Sequence, residues 1–520
     1  AEHGATFTIP KSGKWYWEAS YTGAYTNGAM ATMMGIMDID TQTVGLSGNH
    51  INNTTGEYVA YYSHNNGVYV SNTLSNYTGQ ISTQTSAVVG FALDMDNAHL
   101  WIHVNGTYIN GTPDFSDGTN KIASPTKTKT FLPFFGGAGG AAFTWRANFG
   151  QDSAGISSAQ SPDNGIGTFE YDVPADYNAL CTSNLPDITI GPGQSSQADD
   201  HFNTVLWTGT GSGGTRAVSG VGFSPDWVWA KNLTESYSHI LYDSVRGANR
   251  SLVPNDTDSE ATSGEQTTFL SSFDCGGFTL GDDSNNVNGS GQSYVLWAWK
   301  ESATAGFDIV SYTGNATART ISHSLSAVPK MIIVKNRTDA VEWQIYHQAI
   351  GNDYSIFLDL DNGRDGGSFY WNDTTPTSSV FSVGTYNGTN GSSDNMIAYC
   401  FADIKGYSKF GSYKGNGNAD GPMNFLGFKP AFVIVKQSTA AGNSWNIFDN
   451  KREGYNPDND ALFADVDSTE TTTDYLDLLS NGFKIRNNSS AVNTSGETYI
   501  YMAFAESPFV NSNGVPTNGR

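Results

Sequence analysis

Charged residues are scarce in this sequence of 520 residues. They make up 15% of the chain, against about 25% in an average globular domain. Helix surfaces are usually built from Glu, Lys, Arg and Gln, whereas Gly, Ser, Thr and Asn fill the polar positions here, and these residues favour strands and turns. The hydrophobic fraction of 38% excludes wholesale disorder. Because one core rarely serves more than about 250–300 residues, the sequence predicts several all-β domains.

Positive charge is in particularly short supply. Lys and Arg number 26 against 50 Asp and Glu, which gives a formal net charge of −24. A phosphate backbone or an anionic membrane surface would be repelled by this field. No run of 18 apolar residues occurs, so no membrane-spanning helix is expected. We therefore expect no nucleic-acid partner and no membrane insertion.

Cysteine is equally rare. Cys181, Cys275 and Cys400 lie about a hundred residues apart and form no CxxC pair, which excludes a disulfide framework and a zinc site. Cys275 and Cys400 fall in strand-like runs, where a cysteine acts as a small hydrophobic residue.

The start of the chain lacks two expected signals. It has neither an initiator Met nor a signal peptide, and strand-like sequence begins at residue 5. We therefore expect a fragment of a longer protein or a processed product.

A pattern of elements returns three times after residue 200. An aromatic-x-Gly step comes first, and an apolar strand that ends in lysine follows at 225–231, 329–335 and 430–436. A further aromatic element, a Gly-Phe-like element and a closing aromatic strand complete each copy. The pattern predicts three homologous two-layer β-sandwich repeats, because the lysine-ended strand is apolar on both faces and such a strand is buried on both sides. The predicted repeats cover 201–305, 306–407 and 408–509.

Residues outside these copies divide into a module and two connectors. Residues 1–186 do not match the repeat and are predicted to form a separate domain. Pro, Gly and Ser are dense in 187–200, which is typical of a linker. Residues 510–520 are predicted to be a C-terminal connector.

The N-terminal module carries five landmarks of one family in the family's order. They are Trp15-Tyr16-Trp17-Glu18, Met34-Gly35-Ile36, the strand 89–96, the strand 100–106 and Asn148-Phe149-Gly150-Gln151. This set resembles SPRY (B30.2-like) domains. The resemblance implies a bent β-sandwich that binds partners through loops and is not an enzyme. Because the family's binding residues lie in loops that do not align here, no binding residue is carried over.

The whole arrangement has a second resemblance. A SPRY-like module followed by repeats of this motif is similar to structural and tail-fibre proteins of marine tailed phages, notably those of cyanobacteria. The resemblance implies a virion-surface or extracellular protein that is assembled in the host cytoplasm. Its implied partners are other virion proteins, further copies of the chain in a homo-oligomer, and a glycan or protein on the host surface.

Signatures of common catalytic and cofactor sites are missing. The sequence has no GxSxG, no HExxH and no phosphate-binding GK[ST] loop. No pair of carboxylates recurs in all three copies, as a glycosidase site in the repeats would require. Neither a catalytic residue nor a cofactor is predicted. Calcium is the best small-ion alternative, since 359–365 and 458–460 offer clustered oxygen ligands without completing an EF-hand.

The repeated lysines, Lys231, Lys335 and Lys436, are the candidate ligand-binding residues. One reading is a sugar or anion site that uses lysine and an aromatic platform. The other is a structural ion pair with a loop carboxylate such as Asp243 or Asp449.

The leading hypothesis from the sequence is a non-catalytic phage virion appendage, a tail fibre or related adhesion module. The first alternative is a capsid-decorating or other purely structural virion protein, and the second is a polysaccharide-degrading enzyme of the tailspike type. Exposed aromatic side chains on the repeat loops would favour adhesion. A large flat apolar face would favour a structural lattice, and a convergent carboxylate pair would favour the enzyme.

Overall fold

The computed structural model of the protein divides into two compact units, one within residues 1–186 and the other within 187–514. It describes residues 2–4, 8–23, 31–38, 46–47, 50–51, 57–63, 67–71, 73–76, 86–127, 129, 131–138, 143–151, 155–181, 184, 188–211, 213–261, 269–281, 285–452, 456 and 460–510.

Strands are the main regular elements of the N-terminal unit over its described residues. They are β1 (Glu2–Gly4), β2 (Lys14–Gly23), β3 (Ala31–Asp38), β4 (Leu46–Ser47), β5 (His50–Ile51), β6 (Tyr58–Tyr62), β7 (Gly67–Val70), β8 (Thr73–Asn76), β9 (Ser86–Asp94), β10 (His99–Val104), β11 (Thr107–Tyr108), β12 (Phe131–Ala138), β13 (Phe143–Asn148) and β14 (Asn178–Ala179). One large sheet has the order β1-β12-β3-β6-β7-β8, and the other has the order β11-β10-β9-β2-β13, with β14 beside β2. This pairing makes a two-sheet sandwich. β4 and β5 pair with each other in a small separate sheet.

Most landmark residues of this unit lie in its core strands, whereas Phe149, Gly150 and Gln151 directly follow β13. Trp17 and Phe91 stack with ring centroids 5.1 Å apart, and both are fully buried. Gly35 lies where a Cβ atom would come within 1.8 Å of the Val59 carbonyl oxygen, so the contact between β3 and β6 requires glycine. Phe149 is only partly buried against the same core.

The C-terminal unit begins with the segment that the sequence presented as a linker. Ile190 and Ala198 are buried in the main core of this unit, and a short 3-10 helix spans Ala198–Asp200. Two apolar side chains in a Gly- and Ser-rich stretch are enough to dock it. Residues 188–200 are therefore part of the unit, and 511–520 lie outside the described residues.

Segment 1 (201–305) follows this docked stretch. Its strands are β15 (Phe202–Thr208), β16 (Arg216–Ser219), β17 (Trp227–Asn232), β18 (Ile240–Asp243), β19 (Leu270–Asp274), β20 (Gly277–Leu280) and β21 (Ser293–Trp299). The main sheet has the order β15-β21-β17-β18, and a second sheet has the order β16-β20-β19.

Segment 2 (306–407) contains two short helices in addition to its strands. The elements are β22 (Phe307–Thr313), β23 (Arg319–Ser322), β24 (Met331–Asn336), β25 (Gln344–His347), β26 (Tyr354–Phe357), β27 (Asp365–Gly366), α1 (Ser368–Trp371), β28 (Val380–Val383), α2 (Asn387–Asn390) and β29 (Asn395–Phe401). The main sheet has the order β22-β29-β24-β25-β26-β27, and β23 pairs with β28.

Segment 3 (408–509) completes the unit. Its strands are β30 (Ser408–Lys414), β31 (Met423–Phe425), β32 (Phe428–Gln437), β33 (Asn446–Asp449), β34 (Leu462–Phe463), β35 (Leu476–Leu479), β36 (Gly482–Ile485) and β37 (Thr498–Pro508). The sheets have the orders β30-β37-β32-β33-β34 and β31-β36-β35.

The same strand order is thus found in all three main sheets. The first strand of each segment pairs with its last strand, the last pairs with the lysine-ended strand, and that strand pairs with the next aromatic strand. Lys231, Lys335 and Lys436 occupy the same register against the closing strand, opposite Val295, Ile397 and Ile500.

The two faces of each lysine-ended strand are buried against different partners. Val228 and Ala230 pack into the core between the two sheets of segment 1, whereas Trp227 and Trp229 pack into a core that all three segments share. The sequence predicted that both faces are buried, but it assigned both to a two-layer sandwich within one repeat. In the structure one face is covered by the neighbouring segments instead.

Aromatic rings fill the shared core. Segments 1 and 3 meet where Trp299 lies 5.5 Å from Phe432, and segments 2 and 3 meet where Phe401 lies 6.0 Å from Phe504. Trp227 stacks on Tyr399 at 4.9 Å between segments 1 and 2. Each pair of segments is therefore joined by rings, which contribute both apolar burial and favourable ring geometry.

The prediction of an all-β protein is confirmed. One local prediction is wrong: Cys275 lies in the exposed turn between β19 and β20 rather than in a strand, while Cys400 is buried in β29. The adjacent Gly276, with a φ of 86°, favours a turn at that point. Among the described residues, no helix has the length and hydrophobicity to cross a membrane.

Candidate functional site

The three candidate lysines lie at the junctions between segments. Each has 0% of its surface exposed, and each Nζ donates to a backbone carbonyl oxygen of another segment. The acceptors are Asp467 at 3.2 Å for Lys231, Thr257 at 2.7 Å for Lys335 and Asp361 at 2.9 Å for Lys436. Segment 1 thus reaches segment 3, segment 2 reaches segment 1, and segment 3 reaches segment 2, which closes a ring of contacts.

Ring nitrogens repeat this cyclic pattern beside the lysines. Trp343 Nε1 donates to the Val253 carbonyl at 3.0 Å, and Trp445 Nε1 donates to the Phe357 carbonyl at 2.7 Å. At the matching position of segment 1, His239 Nδ1 accepts the indole N–H of Trp229. His239 Nε2 then carries the proton and donates to the Phe463 carbonyl at 2.9 Å.

Burial lowers the pKa of all three lysines to about 8. A sugar or anion site needs an ammonium group that solvent can reach, and none of the three is exposed. The geometry therefore favours a structural role in joining segments, although the partners differ from those that the sequence suggested.

Asp243 and Asp449 have other partners. Arg246 Nε contacts Asp243 Oδ2 at 2.5 Å, and Arg452 Nε contacts Asp449 Oδ2 at 2.6 Å. The same two carboxylates accept from neighbouring segments, Asp243 from the Tyr399 hydroxyl at 2.7 Å and Asp449 from Trp297 Nε1 at 3.0 Å. Lysine at the end of each strand was visible in the sequence, but its partner on another segment was not.

The third junction uses different chemistry at these positions. His347 and Ile350 stand where segments 1 and 3 have the aspartate and the arginine. His347 Nε2 lies 3.3 Å from the Tyr501 carbonyl oxygen. Burial lowers the pKa of His347 to about 4. At this position the contact with the neighbouring segment is therefore made by a neutral ring rather than by the carboxylate of an ion pair.

Segment 2 carries an aromatic face that the sequence reading missed. Phe369 on α1 is 39% exposed, and its ring lies 4.4 Å from that of Tyr370 and 5.8 Å from that of Tyr386. Gly367 allows this placement, because a Cβ atom there would come within 2.1 Å of the Phe369 ring. In the described residues, α-helical turns at this place occur in segment 2 and not in segments 1 and 3.

Carboxylates border this aromatic face. Asp365 Oδ2 accepts the Tyr370 hydroxyl at 2.7 Å, and Glu342 Oε2 accepts the Tyr386 hydroxyl at 3.2 Å. Burial, together with the Glu342 charge, raises the pKa of Tyr386 to about 12. An exposed ring beside carboxylate acceptors can stack on the apolar face of a sugar and accept hydroxyl hydrogen bonds. The signal that could have found it is the run Phe369-Tyr370-Trp371 after Gly366-Gly367, in a stretch without a counterpart in the other copies.

One group of carboxylates lies outside this face. Burial raises the pKa of Glu301 to about 7, with Asp308 and Asp226 adding to the effect. These carboxylates also accept backbone N–H groups: Glu301 from Ile309 at 3.1 Å, and Asp226 from Glu301 at 2.9 Å. They hold the connection between segments 1 and 2.

The acidic stretches considered for calcium have structural contacts. Asp359 Oδ1 accepts the Trp343 N–H at 3.1 Å, and the Asp361 carbonyl is the acceptor for Lys436. Within the described part of the chain, no group of three or more His, Cys, Asp and Glu side chains has the spacing of a metal site. Residues 458 and 459 lie outside the described residues.

The N-terminal unit has a buried polar cluster on its second sheet. The Tyr16 hydroxyl donates to Glu18 at 3.0 Å and lies 2.7 Å from His103 Nε2. Glu18 also accepts the backbone N–H groups of Glu170 and Tyr171, both at 2.9 Å. Burial raises the pKa of Glu18 and lowers that of His103 to about 3. The cluster fastens the stretch around residue 170 to the sheet, and all three side chains are buried.

Two of the solved structures that are similar to this chain each cover about a quarter of it. The SPRY domain of human HERC1 is 16% identical, covers 28% of this chain and 80% of its own, and has a TM-score of 0.20. Sheep galectin-11 in complex with glycerol is 9% identical, covers 28% of this chain and 96% of its own, and has a TM-score of 0.16. The assignment of a two-sheet sandwich to the N-terminal unit follows from the pairing of its own strands. No curated protein sequence matches the chain.

The match to a family falls on the C-terminal unit. It covers residues 197–508, which contain the 3-10 helix, segments 1 and 2, and segment 3 except for its last residue. This chain belongs to the family described as a domain of unknown function, DUF7483.

Proposed function

We propose that this protein is a non-catalytic virion appendage protein, a tail fibre or related adhesion module, which binds a host-surface glycan or protein through loops. The observation that carries the proposal is the exposed aromatic face of segment 2. Phe369 on α1 is the exposed ring of this group. Behind it lie the buried Tyr370 ring and the partly buried Tyr386 ring, which contact each other at 5.0 Å.

Two further features support adhesion. The lysines common to the three segments are buried and join one segment to another, so ligand binding is left to parts that differ among the segments. The SPRY-like motifs, the repeat motif and the low fraction of charged residues resemble those of phage surface proteins. Such a protein works outside the host cell after assembly in its cytoplasm, alongside other virion proteins and further copies of itself.

A glycan-binding experiment tests this role. Purified protein is applied to a glycan array and to intact cyanobacterial cells, with Phe369→Ala as the variant and Val328→Ala as its control. Val328 is equally exposed in the same segment but lies outside the ring group. We expect Phe369→Ala to lose at least tenfold in binding while Val328→Ala keeps it, because ring contacts supply much of such affinity.

Two outcomes would contradict the adhesion role. Equal binding by Phe369→Ala and the native protein would show that the aromatic face takes no part in adhesion. Release of oligosaccharides from the bound polysaccharide, abolished in Glu301→Gln, would replace adhesion with polysaccharide degradation.

A purely structural virion protein is the second candidate. The closed ring of segments favours this candidate. Each segment contacts the other two within one chain, and these contacts stabilise the unit as one body. Density for this chain in an intact particle, at a site away from any host contact, would favour this candidate over adhesion.

A further inference from the structure

A cleft of about 440 Å³ opens at the junction of segments 1 and 3. Segment 1 contributes Leu206, Leu233 and Ser293, and segment 3 contributes Arg452 and Glu470. Leu206 is 45% exposed, which makes it one of the most exposed large apolar side chains among the described residues. The Glu470 carboxylate accepts from Arg452 Nη1 at 3.1 Å and is 24% exposed.

The junction of segments 1 and 2 has the same parts, except that its cleft is filled. Arg246 Nη1 meets Glu260 Oε1 at 3.1 Å, as Arg452 meets Glu470. Arg337 then lies against the outer side of Glu260, where its Nε donates to Oε1 at 3.0 Å and its Nη2 to Oε2 at 2.9 Å. The Glu260 side chain is only 6% exposed as a result.

Backbone pairing shows that the two places correspond. The N–H of Arg337 donates to the Asn395 carbonyl at 2.8 Å, and the N–H of Leu233 donates to the Ser293 carbonyl at 2.8 Å. Each residue directly follows an asparagine, which comes one position after the repeated lysine and is the last residue of β17 or β24. Leucine therefore stands in segment 1 where segment 2 has the arginine that fills the cleft.

The walls of the two clefts correspond as well. Arg337 Nη1 reaches Ser311 Oγ at 3.5 Å, and Ser311 pairs with Ile397, opposite Lys335. Leu206 has the same register, since it pairs with Val295, opposite Lys231. The open cleft thus presents a carboxylate and an apolar wall at the site where the other junction holds a guanidinium group.

We propose that the cleft between segments 1 and 3 binds an arginine side chain of a partner protein, in the manner that Arg337 binds at the other junction. Glu470 would accept the planar guanidinium group through two parallel hydrogen bonds, and Leu206 and Leu233 would cover the methylene stem. Among the described residues, Arg452 is the single side-chain donor to Glu470, so acceptor capacity remains. The net charge of −24 favours a partner with a basic surface.

Titration with small probes tests this site without knowledge of the partner. N-acetyl-L-arginine amide is compared by ligand-observed NMR, at low salt, with the lysine analogue and with the neutral citrulline analogue of nearly the same shape. We expect the arginine probe to bind at least tenfold more tightly than either, because only guanidinium offers a planar pair of donors with charge. Equal affinity for the three probes, or tighter binding of lysine, would overturn the proposal.

Three variants locate the binding. Glu470→Gln removes the charge, and Leu233→Arg places the arginine of the other junction into the cleft; each should weaken arginine binding at least tenfold. Glu235→Gln, an exposed carboxylate near the cleft, should change it less than twofold. If Glu470→Gln does not fold, Leu233→Arg decides. Undiminished binding in a folded cleft variant, or an equal loss in Glu235→Gln, would overturn the proposal. Neither result bears on glycan binding at Phe369.

Discussion

Three buried lysines form hydrogen bonds between the segments of this protein. Each of these lysines is fully buried, and its Nζ donates to a carbonyl oxygen of another segment. They are Lys231, Lys335 and Lys436. Removing an ammonium group from water costs free energy that the new hydrogen bonds must offset. The lysines therefore make the stability of the C-terminal unit depend on pH in a range where most side chains do not titrate.

The sign of this dependence follows from the lowered pKa. Burial brings the pKa of Lys335 to about 8 from an ordinary 10.5, so between these values the unfolded chain binds more protons than the folded chain. The free energy of unfolding then rises with pH, by up to about 1.4 kcal/mol per pH unit. We expect the native protein to gain about 1–2 kcal/mol over Lys335→Met between pH 8 and 10.

Chemical denaturation at several pH values measures this difference. Buried tyrosines titrate in both proteins and cancel in the comparison. The control is Lys414→Met, whose lysine is exposed and which should follow the native protein across the same range. A constant difference between the native protein and Lys335→Met would mean that folding does not lower the pKa of Lys335.

At the scale of elements, the aromatic-x-Gly step sets how closely two loops approach. A Cβ atom on Gly209, Gly314 or Gly415 would come within 2.0, 2.0 or 2.2 Å of a carbonyl oxygen just before the closing strand. The glycine thus recurs because backbone meets backbone there, and the motif was visible in the sequence although its cause was not.

Gly314→Ala tests this explanation. The methyl group would force the end of β22 away from the loop before β29, and we expect a loss of about 1–3 kcal/mol in the free energy of unfolding. Gly366→Ala is the matched control in the same segment, since its nearest neighbour is a Tyr354 ring atom at 3.2 Å. The control should change stability by about 0.5 kcal/mol or less. A neutral Gly314→Ala would contradict the close approach.

The sequence predicted the strands that recur in the three segments, and it missed elements that occur only once. The lysine-ended strands were predictable, since 227–232, 331–336 and 428–437 are apolar runs between turn residues and are strands in the structure. The aromatic face was missed because α1 and α2 lie in a stretch that has no counterpart to compare. The docking of 188–200 was missed because Ile190 and Ala198 are outnumbered by turn residues.

At the scale of the whole molecule, the shared core was beyond the reach of sequence reasoning. Apolar residues on both faces of a strand indicate burial, but they do not say whether the second cover is the repeat's own sheet or a neighbour. In the C-terminal unit the second cover is a neighbour, and the rings of Trp227, Phe401 and Phe504 belong to one cluster. The central claim is that the three segments fold as one body around these rings.

Coupling between segments tests this claim most directly. Trp227→Ala removes a fully buried ring of segment 1, a change that costs about 3–5 kcal/mol in a packed core. Amide hydrogen exchange is then followed by mass spectrometry in β17, β24 and β32 of the intact chain. If the segments share one core, protection should fall in all three strands by similar factors. Loss confined to β17, with β24 and β32 protected as in the native protein, would contradict the claim.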